Sequence, residues 1–217
     1  MSVLGVLWDM DGVLVDTGEF HYRAWNGLLP EYGIDFTHEL HQETFGRNNA
    51  SILSLLLGEK LTPELQSEIS HRKEERFRAA ARGHAVPLPG VESWLARLRE
   101  DGARQGIASS APVANIDTLI GELGLRSYFD AIVSGEDLPG KPDPTLFLSV
   151  ARQLDIPPGL CVVVEDAIAG VAAAKRAGMK CIAVTTTNEA EALNAADIVV
   201  DRLDALPADA FRRLVTD

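Results

Sequence analysis

Asp9 and Asp11 stand two residues apart, directly after an apolar run that begins at Val3. In an extended segment, residues i and i+2 point the same way, so both carboxylates could address one ligand. Gly12 would let the backbone turn sharply beside them. Two like charges this close need a counter-charge, which is either a bound cation or a shared proton. The spacing therefore predicts a reaction centre at the end of a strand, although Asp and Gly are also common in ordinary turns.

The elements that would position these aspartates are predicted from the pattern of apolar runs. The first run is apolar enough to be a strand buried on both faces, as in a parallel sheet covered by helices. Helical patterns at 91–101 and 168–177 alternate with further strand-like runs. These runs are residues 105–109, 131–134, 160–164, 180–184 and 197–200. The alternation predicts an α/β fold with a doubly wound parallel sheet, whose ligands gather at the carboxyl ends of the strands.

Three later segments place polar residues just beyond predicted strands. Ser109 and Ser110 offer hydroxyls that suit an anion, although serines are also common helix N-caps. Lys141 lies in a proline-rich loop that would limit the entropy lost on fixing it, although a lysine in such a turn is usually just solvated. Glu165 and Asp166 follow an apolar strand-like run, as Asp9 and Asp11 do. Because adjacent strand residues point to opposite sides, both acids could reach one cation only if the chain turns there.

Residues 18–86 interrupt the alternation, since they contain helical patterns and no convincing strand. These patterns cover residues 20–32, 52–57 and 62–82. Thr62-Pro63-Glu64 is typical of a helix start, with Pro in the first turn and an acid near the positive end of the dipole. The interruption predicts an inserted helical domain rather than a single domain with extra helices. The predicted division is 1–16 core, 17–86 helical insertion and 87–217 core.

Composition excludes several classes of partner. The 20 basic and 32 acidic residues give a net charge of −12, so nucleic acid is not expected as a partner. No run of eighteen apolar residues and no signal-peptide pattern is present, so no membrane association and a cytoplasmic location are expected. Cys161 and Cys181 lie in apolar strand-like runs and are predicted to be buried free thiols. We expect a monomer or a weak dimer.

Taken in order, the strand-end segments resemble the motifs of the haloacid dehalogenase superfamily, in its phosphatase and phosphomutase branch. The segment Asp-Met-Asp-Gly-Val-Leu-Val-Asp-Thr at 9–17 resembles the first motif. The resemblance implies that Asp9 is a nucleophile that takes up the phosphoryl group, and that Asp11 is the general acid and base. It also implies that Ser109 binds phosphoryl oxygens and that Lys141 neutralises charge on the nucleophile and the phosphate.

The fourth motif of that family resembles the segment with Glu165 and Asp166, and the implied cofactor is Mg²⁺. The ligands would be the side chains of Asp9 and Asp166, the backbone carbonyl of Asp11, and Glu165 directly or through water. Such oxygen ligands suit Mg²⁺, which also retains some waters. Mg²⁺ and Lys141 would together offset the repulsion between an anionic nucleophile and an anionic phosphate.

The family resemblance extends to the insertion, because a helical cap of this size lies between the first two motifs and closes over the active site. The segment at 19–25 resembles the cap entrance of β-phosphoglucomutase-like proteins and related sugar-phosphate phosphatases. Six residues are therefore candidates for substrate binding: His21, Gly46, Arg47, Asn49, Lys73 and Ser110. An alternative for His21 is a hinge role, with its ring packed on Trp25 four residues on.

The resemblance implies a Rossmann-like core and a Mg²⁺-dependent phosphohydrolase that acts on a small phosphorylated metabolite, a sugar phosphate, through an aspartyl-phosphate. The alternative is a β-phosphoglucomutase, which must hold a second phosphate. Asn49 stands where the mutase has a cap arginine, and Ala111-Pro112 replaces a Ser-Lys pair, although Arg47 could substitute. Each lost charge-assisted contact is worth ~1.5–3 kcal/mol, which favours hydrolysis. A second alternative is a non-catalytic phosphometabolite-binding protein, which would not need both Asp9 and Asp11.

Overall fold

The computed structural model of the chain describes residues 3–44 and 47–216, which form two compact units. One unit contains the described residues up to Asp16 together with the chain from Ala85 onward, and the other is Thr17–His84. The helices of both units, in chain order, are α1 (Gly18–Leu28), α2 (His38–Thr44), α3 (Asn49–Leu57), α4 (Pro63–Ala81), α5 (Val91–Glu100), α6 (Val113–Glu122), α7 (Thr145–Leu154), α8 (Ile168–Arg176) and α9 (Ala210–Thr216).

The first unit is built on a six-stranded parallel sheet. Its strands are β1 (Gly5–Trp8), β2 (Arg104–Ser109), β3 (Ala131–Ser134), β4 (Cys161–Glu165), β5 (Lys180–Val184) and β6 (Ile198–Val200). Their order is β3-β2-β1-β4-β5-β6, and every neighbouring pair is parallel. The strand order reverses between β1 and β4, which is the position where open α/β sheets bind their ligands. The predicted doubly wound α/β fold is confirmed.

The strands lie within a residue or so of their predicted bounds. The run predicted at 160–164 forms a strand one residue later, because Pro158–Leu160 is a short 3₁₀ turn. Every residue of β1 and β4 is buried, as expected for central strands covered on both faces. Apolar side chains such as Leu7, Phe147 and Val163 pack together there. This packing holds the carboxyl ends of the central strands in fixed positions.

The helical unit has its own apolar core, which includes Trp25, Phe36 and Ile69. α4 starts as predicted, since the Thr62 hydroxyl accepts a hydrogen bond from the backbone N–H of Leu65 at 3.2 Å. The helix predicted at 20–32 instead ends at Leu28. It continues as a 3₁₀ turn, Leu29–Tyr32, because Pro30 lacks the N–H that a helix needs.

The helical unit differs from the sequence-based prediction in two further helices. α3 begins three residues before its predicted start, because the Asn48 side chain caps it by accepting from the backbone N–H of Ser51 at 2.9 Å. The short helix α2 lies in a stretch for which no helix was predicted. Its seven residues make only two turns, too few for a clear helical pattern.

The chain returns to the first unit slightly earlier than the predicted boundary at residue 87. Val15 and Pro87 form an antiparallel bridge, and the N–H of Leu88 donates to the carbonyl of Leu14 at 2.9 Å. These backbone contacts join the segment before the helical unit to the segment after it. They place the chain from Ala85 onward with the sheet.

Cys161 and Cys181 are buried free thiols within β4 and β5, as predicted. Burial raises the pKa of the Cys161 thiol to about 11, so it is protonated at neutral pH. Across residues 3–44 and 47–216, none of the helices combines the length and the apolar character that a membrane crossing requires.

Candidate active site

Asp9 is the first residue beyond β1, at the carboxyl end of the central strand. Its backbone N–H donates to the carbonyl of Val164 on β4 at 3.0 Å, so its position is tied to the neighbouring strand. The residue is only 6% exposed, whereas Asp11 is half-buried. Both aspartates therefore lie where the sequence placed them, at the strand end beside the reversal of strand order.

The chain turns back on itself directly after Asp9. The carbonyl of Met10 accepts hydrogen bonds from three successive N–H groups, those of Val13, Leu14 and Val15. Gly12 has a φ of 76° in this turn, and a Cβ at that position would overlap the carboxylate of Asp166. Glycine is therefore needed both for the left-handed backbone and for the close approach of Asp166.

Lys141 joins two strand ends through its ammonium group. Its Nζ donates to Asp9 Oδ1 and to Glu165 Oε1, each at 2.5 Å. The same Nζ lies 5.2 Å from the centre of the Phe147 ring, and the side chain is 12% exposed. The lysine predicted from the proline-rich loop thus faces the first aspartate directly.

The loop that carries Lys141 is held at two points. Arg176 Nη1 on α8 donates to the carbonyl of Pro142 at 3.1 Å. Asp143 Oδ1 accepts from the N–H of Thr145 at 2.9 Å, at the start of α7. These bonds restrict the loop, which reduces the entropy lost when the lysine is fixed against Asp9.

Glu165 is fully buried, and both of its carboxylate oxygens have partners. Oε1 accepts from Lys141, and Oε2 accepts from the backbone N–H groups of Asp166 and Ala167, both at 2.9 Å. A Cβ at position 170 would overlap this carboxylate, so Gly170 makes room for it. The chain does turn at this strand end, and the turn directs Glu165 towards Lys141.

Asp166 is held by two residues that the sequence analysis missed. Thr187 Oγ1 lies 2.6 Å from Asp166 Oδ2, and Asn188 Nδ2 donates to the Asp166 carbonyl at 3.0 Å. Both residues follow β5, which pairs with β4. The polar run Thr185-Thr186-Thr187-Asn188 directly after an apolar strand was a signal that the strand-end rule could have used.

Ser109 is the last residue of β2 and is fully buried, whereas Ser110 is exposed. The Ser109 hydroxyl oxygen accepts from the backbone N–H of Ala111 at 3.1 Å. The Ser134 hydroxyl on β3 donates to the carbonyl of Ala111 at 2.7 Å. This stretch of backbone after β2 is therefore fixed from both sides, and it carries the two serines predicted to contact phosphate.

The nearby positive charge does not offset the burial of the Asp9 and Asp166 carboxyls, as their raised pKa values indicate. Burial raises the pKa of Asp9 to about 7, against the effect of Lys141. Burial also raises the pKa of Asp166 to about 8, and the charges of Glu165 and Asp9 add to this. Burial disfavours the charged form of Lys141 as well, but Asp9 and Glu165 outweigh it and raise its pKa. One ammonium group does not balance these acids.

A divalent cation fits this charge distribution. The carboxylates of Asp9 and Asp166 offer the hard oxygen ligands that Mg²⁺ takes, and the backbone carbonyl of Asp11 stays a predicted ligand. In the part of the chain that the structure describes, no three acidic, His or Cys side chains are grouped so that they would hold a metal ion by themselves. Carbonyl and water ligands would therefore complete the set, as is usual for Mg²⁺.

The helical unit contains a partly buried polar cluster, which we call the Lys73 cluster (His21, Asn49, Lys73 and Glu74). Lys73 is 2% exposed, and its Nζ lies 2.8 Å from Glu74 Oε1 and 2.8 Å from His21 Nδ1. Asn49 Nδ2 donates to the same Glu74 oxygen at 2.7 Å. The His21 ring stacks on Phe77, with 4.3 Å between ring centres, and the alternative hinge role with packing on Trp25 stays a prediction.

The remaining predicted residues of the helical unit lie in the segment before α3. Arg47 is exposed. Gly46 lies outside the described residues. The roles of Arg47 and of the Lys73 cluster in substrate binding therefore stay predictions.

Comparison with known proteins identifies the family of the chain. The family model of haloacid dehalogenase-like hydrolases matches residues 6–184. The β-phosphoglucomutase of Bacillus subtilis is 32% identical over 204 residues, which cover 90% of this chain and 88% of that protein. The phosphorylated carbohydrates phosphatase of Thermotoga maritima is 31% identical over 191 residues, with 87% and 88% covered.

Solved structures point the same way. The crystal structure of a β-phosphoglucomutase from Clostridium difficile superposes with a TM-score of 0.86 at 27% identity, covering 99% of this chain and 97% of that one. The family match spans all four strand-end segments described above. The chain belongs to the haloacid dehalogenase-like hydrolases, in the β-phosphoglucomutase-like subfamily, and is an enzyme of the phosphatase and phosphomutase type.

Proposed function

We propose that the chain is a Mg²⁺-dependent phosphohydrolase that acts on small phosphomonoesters, in particular sugar phosphates, through an aspartyl-phosphate on Asp9. The observation that carries this proposal is the Lys141 ammonium 2.5 Å from Asp9, at the carboxyl end of β1. A buried carboxylate that faces a fixed cation is a nucleophile whose charge is offset as an anionic phosphate approaches. The sugar-phosphate enzymes among the relatives support the substrate class.

In this proposal, Asp9 attacks phosphorus and the leaving alkoxide departs on the opposite side. Lys141 stays beside Asp9 and offsets charge on both reacting groups, while Glu165 holds the lysine in place. The Ser109 hydroxyl, whose oxygen accepts from the Ala111 N–H, donates its own hydrogen to a phosphoryl oxygen. Bound Mg²⁺ would supply further positive charge between nucleophile and phosphate.

Asp11 is the proposed general acid and base. It donates a proton to the leaving alkoxide, and then removes a proton from the water that attacks the aspartyl-phosphate. Asp11 is half-buried and follows Asp9 by two residues, so it can retain contact with solvent while Asp9 is enclosed. One aspartate would therefore form the covalent bond and the other would move the protons.

The proposed hydrolase is distinguished from a β-phosphoglucomutase by the charges available for a second phosphate. Ala111-Pro112 follows Ser109 and Ser110, so this segment offers no cationic side chain. In the helical unit, which we propose to be the specificity-determining cap, Glu74 pairs with Lys73 and also accepts from Asn49. The Lys73 cation is thus already neutralised. Among the predicted substrate-binding residues, Arg47 would then be the cation left for a second phosphate, which is fewer charge-assisted contacts than the missing arginine and Ser-Lys pair would supply.

The first prediction separates the two reactions in one assay. The full-length chain is given β-glucose 1-phosphate, a glucose bisphosphate primer and Mg²⁺, and inorganic phosphate and glucose 6-phosphate are followed together. Phosphate is expected to form faster than glucose 6-phosphate, because the site cannot retain and reorient a bisphosphate. Excess chelator should stop phosphate release.

Two outcomes would count against the proposal. Formation of glucose 6-phosphate many times faster than phosphate would identify a mutase. Failure to hydrolyse any member of a panel of sugar phosphates and aryl phosphates, with Mg²⁺ present, would remove the hydrolase assignment altogether.

A further inference from the structure

We infer that Thr187 and Asn188 are positioning residues that hold the Asp166 carboxylate in a single orientation and thereby set the affinity of the chain for Mg²⁺. The inference rests on the magnesium site of the proposed function. It concerns two residues that belong to none of the four strand-end motifs. Both contact Asp166, which is one of the proposed ligands.

Thr187 Oγ1 lies within hydrogen-bond distance of two Asp166 oxygens, 2.6 Å from Oδ2 and 3.1 Å from the carbonyl, and the shorter distance favours the carboxylate as its acceptor. Asn188 Nδ2 has two hydrogens, and it lies 3.0 Å from the Asp166 carbonyl and 3.0 Å from Thr187 Oγ1. When Asn188 donates to both, the single hydroxyl hydrogen of Thr187 is left for Asp166 Oδ2, at 2.6 Å. The amide thus orients the hydroxyl, and the hydroxyl orients the carboxylate.

The backbone of Gly12 also lies close to Asp166 Oδ2. A Cβ on Gly12 would overlap Asp166 Oδ2, and it would also lie 3.2 Å from the Thr187 methyl group. The Asp166 carboxylate is therefore enclosed between the turn after β1 and the segment after β5. With Oδ2 committed to Thr187, Oδ1 is the oxygen left to serve as a ligand.

Such support matters more for Mg²⁺ than for a larger cation. Mg²⁺ requires nearly ideal octahedral positions, whereas Ca²⁺ accepts irregular ones. A residue that hydrogen-bonds to a metal ligand, without binding the metal itself, typically contributes about 10–100-fold to metal affinity. Thr187 and Asn188 should therefore affect Mg²⁺ strongly and Ca²⁺ weakly.

The test is calorimetric titration of the metal alone into the metal-free full-length chain. Thr187→Val keeps the shape and loses the donor, and we expect its dissociation constant for Mg²⁺ to rise by about 10–100-fold. The dissociation constant for Ca²⁺ should rise much less. Thr187→Ser restores the hydroxyl and should bind Mg²⁺ nearly as well as the wild type. Asn188→Ala, which leaves the hydroxyl but not its orientation, should show a smaller loss.

Thr185→Val is the matched control, because the Thr185 hydroxyl bonds to Asp201 at 3.0 Å and does not contact Asp166. This variant should bind Mg²⁺ like the wild type. Unchanged Mg²⁺ binding by both Thr187→Val and Asn188→Ala would overturn the inference. Equal losses for the Thr185 and Thr187 variants, or no Mg²⁺ binding by the wild type, would overturn it as well.

Failure of this inference can be told from failure of the proposed function, since the titration contains no substrate. Mg²⁺ binding that depends on Thr187, in a chain that hydrolyses no phosphomonoester, would refute the hydrolase assignment and leave the positioning role standing. If the Thr187→Val chain binds Mg²⁺ as the wild type does and the wild type hydrolyses phosphomonoesters with Mg²⁺, the positioning role would be refuted and the hydrolase assignment would stand.

Discussion

Replacing Asp9 by asparagine should reduce phosphate release by at least about 10⁴-fold, the scale of loss when an enzyme nucleophile is removed. The amide has the shape of the carboxylate, so the new side chain would fill the same space beside Lys141. It is a very poor nucleophile, and no aspartyl-phosphate could form. Steady-state phosphate release from an aryl phosphate and from a sugar phosphate measures the effect.

The folded state should survive this change, because the backbone bond from residue 9 to Val164 does not depend on the side chain. Thermal unfolding of the Asp9→Asn chain should therefore resemble that of the wild type. Asp137→Asn, at an exposed loop position, is the matched control and should retain full activity. Substantial turnover by a pure Asp9→Asn preparation would show that another group attacks phosphorus.

Replacing Lys141 by methionine should lower both activity and stability. Phosphate release should fall by about 10²–10³-fold, as when one preorganised charged or hydrogen-bonding group at the transition state is lost. Without metal, the buried carboxylates of Asp9 and Glu165 would lose their shared partner. Removal of one member of a buried ion pair costs about 3–5 kcal/mol in the free energy of unfolding.

The stability loss should depend on pH in a definite direction. The pKa of Asp9 is already raised to about 7, and loss of the ammonium would raise it further. A carboxyl whose folded pKa lies above its unfolded pKa destabilises the fold increasingly as pH rises between the two values. The wild type and the Lys141→Met chain share this decline up to about pH 7, so the stability deficit of the variant relative to the wild type should grow as pH rises above about 7, as measured by denaturant unfolding of metal-free protein.

The matched control for Lys141 is Lys175→Met. Lys175 pairs with Asp197 at 2.7 Å, but its side chain is 39% exposed. Exposed ion pairs contribute about 0–1 kcal/mol, so this variant should be nearly as stable as the wild type and fully active. Equal, pH-independent losses in the two lysine variants would contradict the role assigned to Lys141.

The sequence was sufficient to predict the sheet and the strand ends, because both follow from local patterns. A run such as 180–184 is almost continuously apolar, and β5 has those bounds. Asp9, Lys141 and Asp166 follow such runs and carry a specific family resemblance. The positions of Asp9 and Asp166 after strands could thus be predicted from spacing, whereas the role of Lys141 was predicted from the resemblance.

Contacts between segments that are distant in the chain could not be predicted from the sequence pattern. Asn49 and Glu74 are 25 residues apart, and their hydrogen bond depends on how α3 packs on α4. The bonds from Thr187 and Asn188 to Asp166 cross from one strand end to another. The orientation of Glu165 towards Lys141 also needed the turn itself, since a strand pattern specifies alternation and not the rotamer at its last residue.

The most direct test of the account is to trap the covalent intermediate. The chain is mixed with a phosphomonoester substrate and Mg²⁺, quenched in acid during steady turnover, and examined by intact and peptide mass spectrometry. We expect the added mass of one phosphoryl group on the peptide that contains Asp9, with lability to hydroxylamine, as acyl phosphates show, and its complete absence in Asp9→Asn. Phosphorylation at another residue, or rapid turnover by a chain that never carries a phosphoryl group, would contradict the assignment of Asp9 as the nucleophile.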